Sequence, residues 1–348
     1  MSSITAPADK KPSRVMVTGS AGFIGFHLAL RLLADGFDVV GVDGMTDYYD
    51  VGLKQARHAV LRAKPGFSEN TFMLENMQEL SRLVAEEPPD AIVHLGAQAG
   101  VRYSLENPRA YVDANLVGTF NVMEVARTCA VRHLMLASTS SVYGANTVMP
   151  FVETERADHP LTLYAATKKA TEQMAHAYSH LWGLPTTVLR FFTVYGPWGR
   201  PDMALFKFVE GILSGEPIDI YNKGDMARDF TYVADLVEAM TRLLAKAPVL
   251  GEPATEVADS LSPVAPWRVV NIGRGEPVRL LDFVSAIEEA LGRKAILNLL
   301  PMQAGDVPST FADSRLLAAL TGYRPATGII EGVKAFCDWH QSYYRAIA

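Results

Sequence analysis

Short apolar runs alternate with amphipathic stretches along the first half of the chain. Positions 15–17, "FDVVGVD" (37–43), "AIVHLGA" (91–97), "HLMLAST" (133–139) and "TTVLRFF" (186–192) read as buried strands. Helical spacing of apolar residues covers 23–33, where Gly36 supplies the stop, and 111–130. A further helix carries Tyr164. Strands that alternate with helices predict an α/β fold with a mostly parallel sheet covered on both faces. Beyond Gly196 the pattern changes. "YGPWGRPDM" is loop-like, and "PIDIY", "DFTYVADLVEAM" and "RVVNIG" suggest shorter elements of a smaller unit. Positions 248–266, rich in Ala, Pro and Ser, are expected to form a surface loop.

The chain has 348 residues, enough for roughly two domains at about 150 residues each. Although 49% of residues are hydrophobic, no apolar run reaches the roughly 18 residues of a membrane span. A net charge of −6, with both signs dispersed, argues against nucleic acid or an anionic membrane as partner. A local basic pocket for a small anion remains compatible with it. Cys129 and Cys337 have no C-x-x-C spacing and no histidine cluster nearby, so no metal is expected. Isolated thiols fit a reducing compartment, here the cytoplasm. "MSSITAPADKKPS" lacks the apolar core of a signal peptide, and 1–13 is expected to be a mobile tail.

"TGSAGFIG" sets Gly19, Gly22 and Gly25 at three-residue spacing between a strand and a helix. In that context the glycines permit a tight turn, close approach of a pyrophosphate, and close helix–strand packing. The helix N-terminus favours the anion. Asp43, closing the next strand, can accept hydrogen bonds from an adenosine ribose and would repel a 2′-phosphate. The cofactor expected is therefore NAD, on a Rossmann-type doubly wound parallel sheet. We assign 14–193 to this NAD-binding domain, with segments near 228–246 and 267–273 returning to it. The remainder of 194–348 is expected to be a smaller α/β substrate domain.

"LTLYAATKKA" places Tyr164 one helical turn before Lys168, so both share a face. Beside a dinucleotide, that pairing has a use. A hydride leaves a carbinol carbon only as the hydroxyl proton is removed, and a tyrosinate can take that proton. Lowering a phenol from about 10 to near 7 requires about 4 kcal/mol, for which a neighbouring ammonium is suited. "LASTSSVYG" adds hydroxyls at Ser138, Thr139, Ser140 and Ser141 just past a strand end, where the ligand crevice lies. Ser138 is read as strand packing.

TGxxGxxG, a Ser/Thr and YxxxK together resemble the extended short-chain dehydrogenase/reductases, in which Thr139 would match the catalytic Ser/Thr. Longer motifs narrow the likeness: "AQAGVRYSLENPRAYVDANLVGT", "LYAATKKATEQMAH", "RFFTVYGPWGRPDMALFKF", "RDFTYVADLVEA" and "LPMQAGDVP" are similar to UDP-glucuronate 4-epimerases. This resemblance implies interconversion of UDP-glucuronate and UDP-galacturonate through a 4-keto intermediate, with NAD retained, in a homodimer built on the helices near 111–130 and 162–181. It implies that Phe23, Ile24, Leu95 and Ala97 also line the NAD site. Arg228 would hold the diphosphate, Arg200 would border the same crevice, and Met203 with the residues up to Lys207 would line the nucleotide side. Ser140, Ser141 and Thr193 are expected to hold the sugar carboxylate. Arg102 is either a cationic partner of that carboxylate or a structural charge pair. Asp306 either touches the nucleotide ribose or caps a turn. Arg190 and His94 are read as a buried ion-pair partner and a core histidine.

Three positions depart from the family pattern. Gly44 follows Asp43 where Asn is frequent. Gly96 stands where Ala is common, and is expected to be a harmless change. In "MLENMQ" (73–78), either Glu75 or Asn76 is expected to cover the adenine amine. Competing functions are a UDP-glucuronate decarboxylase, an epimerase of a neutral UDP-hexose, and a non-catalytic NAD-binding regulator. The last need not keep the Thr/Tyr/Lys set.

Overall fold

The computed structural model describes residues 13–303 and 305–347. The tail expected at 1–13 lies outside the described residues except for Ser13, whose backbone N–H and hydroxyl both donate to Asp90. The chain runs through β1 (Arg14–Thr18), α1 (Phe23–Ala34), β2 (Asp38–Asp43), α2 (Val51–Arg62), β3 (Phe67–Thr71), α3 (Met77–Glu86) and β4 (Ala91–His94). Next come α4 (Tyr103–Glu106), α5 (Pro108–Tyr111), a π-helical turn (Val112–Val117), α6 (Gly118–Thr128), β5 (His133–Thr139), a 3₁₀ turn (Ser140–Tyr143), α7 (Leu163–Trp182) and β6 (Thr186–Phe191). The second half holds β7 (Thr193–Tyr195), α8 (Ala204–Ser214), β8 (Ile218–Ile220), β9 (Ala227–Tyr232), α9 (Val233–Leu244) and β10 (Trp267–Ile272). It ends with β11 (Pro277–Arg279), α10 (Leu280–Leu291), β12 (Leu297–Leu299), β13 (Ser309–Thr310), α11 (Arg315–Thr321) and α12 (Ile329–Ile347).

A seven-stranded sheet has the order β10-β6-β5-β4-β1-β2-β3, and its neighbours pair in parallel. Alternation along β1 explains the two layers. Val15 and Val17 enter one core with Phe26, Leu32 and Leu236, while Met16 enters the other with Val122 and Leu136. Both faces are thus buried, as parallel strands require. Strand order reverses between β1 and β4, which opens a crevice at the strand C-termini.

Smaller sheets flank that crevice. β9 pairs with β7, β11 and β13, and β8 pairs with β12. Phe206, Phe230, Phe283 and Phe336 form their core. Of the segment 228–246, α9 contributes to the core against α1, while β9 belongs to the smaller sheet. β10 joins the large sheet beside β6.

The helix expected over 111–130 starts earlier and is interrupted. Asn107 accepts a hydrogen bond from the Ala110 N–H and Pro108 occupies the first turn, so the helical path begins at Pro108. The strand expected over 91–97 stops at His94, because the N–H groups of Leu95 and Gly96 turn to the Thr18 hydroxyl. No helix among the described residues is long and apolar enough to cross a membrane.

Candidate active site

One cleft of 1110 Å³ runs from the glycine turn, across the C-termini of β1, β4 and β5, to the smaller sheets. Its cofactor end is set by close packing. Gly19 has φ +72°, and its N–H donates to Val42 O at 2.7 Å. A Cβ at Gly25 would lie 2.1 Å from the Gly19 carbonyl oxygen, and one at Gly22 would lie 2.9 Å from it. Only glycine lets the turn close onto the start of α1, which carries no side-chain cap. Gly19, Gly22, Phe23, Ile24, Gly25, Asp43, Leu95 and Ala97 all line the cleft. Asp43 also organises its surroundings: one oxygen accepts from Ala21 N–H at 3.0 Å, the other from Met45 N–H at 2.9 Å. A carboxylate has lone pairs to spare for a ligand beyond these two.

The two candidates of the 73–78 segment have different surroundings. Asn76 accepts from Glu79 N–H and caps α3, whereas Glu75 lines the cleft. A Cβ at Gly44 would meet Met73 Sδ at 2.4 Å, a contact that the exposed Met73 side chain could relieve by moving. Gly96 is more constrained than expected: a Cβ would come 2.8 Å from Leu74 Cδ1, so alanine would require Leu74 to move.

Thr162 caps α7 by accepting from Ala165 N–H, which fixes the turn carrying Tyr164 and Lys168. Both line the cleft with Thr139. The Thr139 hydroxyl donates to Ser141 Oγ and accepts from Ser141 N–H, each at 3.2 Å. Electrostatics differ from the simple expectation. Burial raises the Tyr164 phenol pKa, opposed by the Thr139 hydroxyl and the Arg200 charge. Lys168 shares no hydrogen bond with Tyr164 among the described residues, and its Nζ donates to Ala137 O at 3.0 Å. Burial lowers its pKa to about 8 against the pull of Glu172. Glu172 lies one turn further along α7 and grips Arg190 through two hydrogen bonds of 3.0 and 2.8 Å. It also accepts from Ser138 at 2.6 Å, so Ser138 serves packing of α7 on β5.

Beyond this set, Ser140 and Ser141 begin the 3₁₀ turn and Thr193 begins β7, all lining the cleft. Arg228, Arg200, Met203 and Asp306 line it as well. Arg228 donates to the carbonyls of Ala227 and Pro308 at 2.9 and 3.1 Å. Among the described residues, no carboxylate forms an ion pair with it, and burial lowers its pKa against the pull of Asp306. A half-buried guanidinium in that position suits an anion from outside the chain. For Arg200, burial opposes the charge but Asp202 outweighs it through a two-point ion pair. Arg102 pairs with Asp306 at 3.5 Å and lies 4.5 Å over the Tyr221 ring, outside the cleft wall. The structure therefore places it in a charge pair. His94 sits between the Thr18 and Thr119 hydroxyls at 2.7 and 2.9 Å, and burial depresses its pKa to about 3. No group of His, Cys, Asp and Glu among the described residues could hold a metal ion.

Residues 15–255 match the NAD dependent epimerase/dehydratase family. The chain belongs to this family. A Rhizobium meliloti (strain 1021) relative, "Probable UDP-glucuronate 4-epimerase", is 59% identical over 95% of this chain and 98% of its own. UDP-glucuronate 4-epimerase 2 of Arabidopsis thaliana is 43% identical over 95% of this chain and 76% of its own. The UDP-glucuronic acid 4-epimerase of Bacillus cereus, solved in complex with UDP-glucuronic acid and NAD, superposes with a TM-score of 0.84. It is 31% identical, covering 95% of this chain and all of that one.

This member of the epimerase/dehydratase family has cleft residues that motif reasoning missed. Tyr48, Tyr103 and Lys54 line the wall, and Asp202 reaches Tyr48 from a distant loop. "TDYYD" after the Asp43 strand was the available signal, because polar aromatic loops at strand C-termini face the crevice.

Proposed function

We infer that this chain interconverts UDP-glucuronate and UDP-galacturonate at C4, using NAD that stays bound. The observation that carries the reading is the single cleft joining the glycine turn, the Thr139/Tyr164/Lys168 set and the unpaired Arg228. At 1110 Å³ it exceeds the roughly 300–1,000 Å³ of pockets for one drug-sized ligand. The Bacillus cereus enzyme, solved with both UDP-glucuronic acid and NAD, supports the same pairing of ligands. The steric fit of Gly22 and Gly25 to their turn, together with Asp43 at the end of β2, suits NAD.

NAD, when bound, supplies the hydride acceptor for C4 and a positive charge near the phenol. Tyr164 takes the O4 proton as the sugar is oxidised and returns it as the sugar is reduced. Thr139 holds the same oxygen. Arg200 supplies a cationic field that opposes the burial cost of a tyrosinate, and Lys168, one turn along the same helix, would add to it when charged. Arg228 anchors the diphosphate while the 4-keto sugar turns over to present its opposite face.

The 4-keto sugar is a β-keto acid, and it loses CO2 when the breaking C–C bond aligns with the carbonyl π system. Short neutral donors can hold the carboxylate away from that alignment in both sugar orientations. Ser140, Ser141 and Thr193 are placed for this task. UDP-glucuronate should yield UDP-galacturonate with little CO2, and Ser141→Ala or Thr193→Ala should raise the decarboxylated share of product. Mass spectrometry of the nucleotide sugars checks both. A pentose nucleotide as the main product of the unaltered enzyme would make it a decarboxylase. Unchanged partitioning in both variants would remove these hydroxyls from the carboxylate site.

The purified protein should release NAD on denaturation, and Asp43→Asn should narrow its preference for NAD over NADP. Stronger binding of NADP than NAD by the unaltered protein would end the role given to Asp43. We assign the NAD unit to 14–193 with α9 and β10, and the sugar-nucleotide unit to most of 194–348. Exposed Val117, Phe120, Leu181 and Trp182 on or beside α6 and α7 fit a homodimer built on those helices. Two free thiols fit the cytoplasm.

A further inference from the structure

Asp202 lies on the loop between β7 and α8, two residues beyond Arg200. Its carboxylate accepts from Arg200 Nε at 2.9 Å and from Nη2. The Tyr48 hydroxyl donates to the same carboxylate at 3.1 Å, from the loop that follows Asp43. Tyr48 is itself held. Its ring packs on Tyr103 at 4.7 Å, and a Cβ at Gly100 would lie 2.6 Å from its hydroxyl. Gly100 has φ +106°, a conformation that keeps this space open for the phenol. The Tyr48 ring also lies 5.8 Å from the Arg200 guanidinium carbon.

A second tie joins the same two loops. Fully buried Arg57 donates to Ala21 O in the glycine turn at 2.8 Å and to the Tyr49 hydroxyl at 2.8 Å. Its other terminal nitrogen reaches Trp198 O at 2.6 Å and Gly199 O at 3.3 Å. The loop carrying Arg200 is therefore fastened to the cofactor side of the cleft at both ends. Asp202 occupies the Nε/Nη2 edge of the guanidinium. Nη1 takes part in no hydrogen bond among the described residues, and its two N–H groups, with the second N–H of Nη2, are left for a ligand.

We propose that Asp202, held by Tyr48, is a positioning residue that aims Arg200 Nη1 at an oxyanion of the bound nucleotide sugar. This rests on the reading that a UDP-sugar occupies the cleft. A planar guanidinium clamped along one edge loses little rotamer freedom on binding, so the effect belongs in affinity.

The test uses the full chain with its NAD, in Asp202→Asn, Tyr48→Phe, Arg200→Lys and the double variants with Arg200→Lys. Thermal midpoint and NAD content confirm that each is folded and loaded. Asp202→Asn and Tyr48→Phe should each raise KM for UDP-glucuronate about tenfold with kcat within about threefold, the pattern of lost uniform binding. Neither should add to the effect of Arg200→Lys, because coupled residues are non-additive. Calorimetric titration with UDP and with UDP-glucuronate locates the oxyanion. A loss shared by both ligands places it on the diphosphate, and a loss confined to UDP-glucuronate places it on the carboxylate; either supports the proposal. Unchanged KM in Asp202→Asn and Tyr48→Phe, with a raised KM in Arg200→Lys, overturns the positioning role. Full additivity in the doubles overturns it too. Unchanged affinity in Arg200→Lys removes Arg200 from the substrate site, whereas no binding of UDP or UDP-glucuronate by the unaltered protein defeats the functional reading itself.

Discussion

Replacing Tyr164 with phenylalanine should leave the fold and bound NAD intact and lower turnover by the ~10²–10⁴-fold typical of a general acid–base group. The ring would keep its edge contact with Tyr111, whose centroid is 6.0 Å away, so only the hydroxyl is removed. Thr139 alone cannot stand in for it, because an alcohol is far too weak an acid and base near neutral pH. Lys168→Met should also slow the enzyme and move its pH optimum upward. Burial raises the phenol pKa, and we propose that the Lys168 ammonium opposes that rise as a nearby cation does, so its loss should move tyrosinate formation to higher pH. Steady-state rates across a pH series, with NAD content measured on each variant, check both expectations. Near-normal turnover in Tyr164→Phe would remove the phenol from the chemistry.

Much of the cofactor end was legible in the sequence because its constraints are local. A glycine turn between a strand and a helix must use glycine where Cβ atoms would strike the Gly19 carbonyl, so the spacing of Gly19, Gly22 and Gly25 carries the geometry with it. β5 coincides with the "HLMLAST" run for a similar reason: a strand buried on both faces carries a continuous apolar stretch, here residues 134–137, and its buried polar ends find hydrogen-bond partners. What escaped was set by contacts across the chain. Tyr48 and Asp202 meet from loops that no periodicity connects. The π-helical turn at Val112–Val117 has an ordinary helical pattern, and its extra residue per turn leaves no mark in the spacing. Lys168 shows the limit of motif reading. YxxxK placed its backbone one turn from Tyr164 but could not tell that Nζ would turn to Ala137 O.

The second large effect is on stability, and it lies one turn beyond the motif. Glu172 is fully buried, and its carboxylate takes two donors from Arg190 and one each from Ser138 and Lys169. Arg190 is 2% exposed, and its remaining terminal nitrogen has no partner among the described residues. It lies 4.7 Å from the centre of the Tyr143 ring, under the 3₁₀ turn that carries Ser140 and Ser141. Glu172→Ala would strand that guanidinium in an apolar interior, which typically costs about 3–5 kcal/mol of unfolding free energy. Removing both charges, as in Glu172→Leu with Arg190→Met, should restore most of the loss, because a matched apolar pair leaves no buried charge unpaired. Denaturant midpoints for the single and double variants separate the two costs. A loss below about 1 kcal/mol in Glu172→Ala would mean that water reaches the pair, since ion pairs exposed to solvent are worth no more than that. The double variant has a second use. It keeps the core but cuts the ties from α7 to β5 and β6, so the register of Tyr164 against Thr139 rests on packing alone. A stable double variant with reduced turnover would show that the buried pair serves the alignment of the catalytic helix as well as the core. Full activity would assign it to the core only.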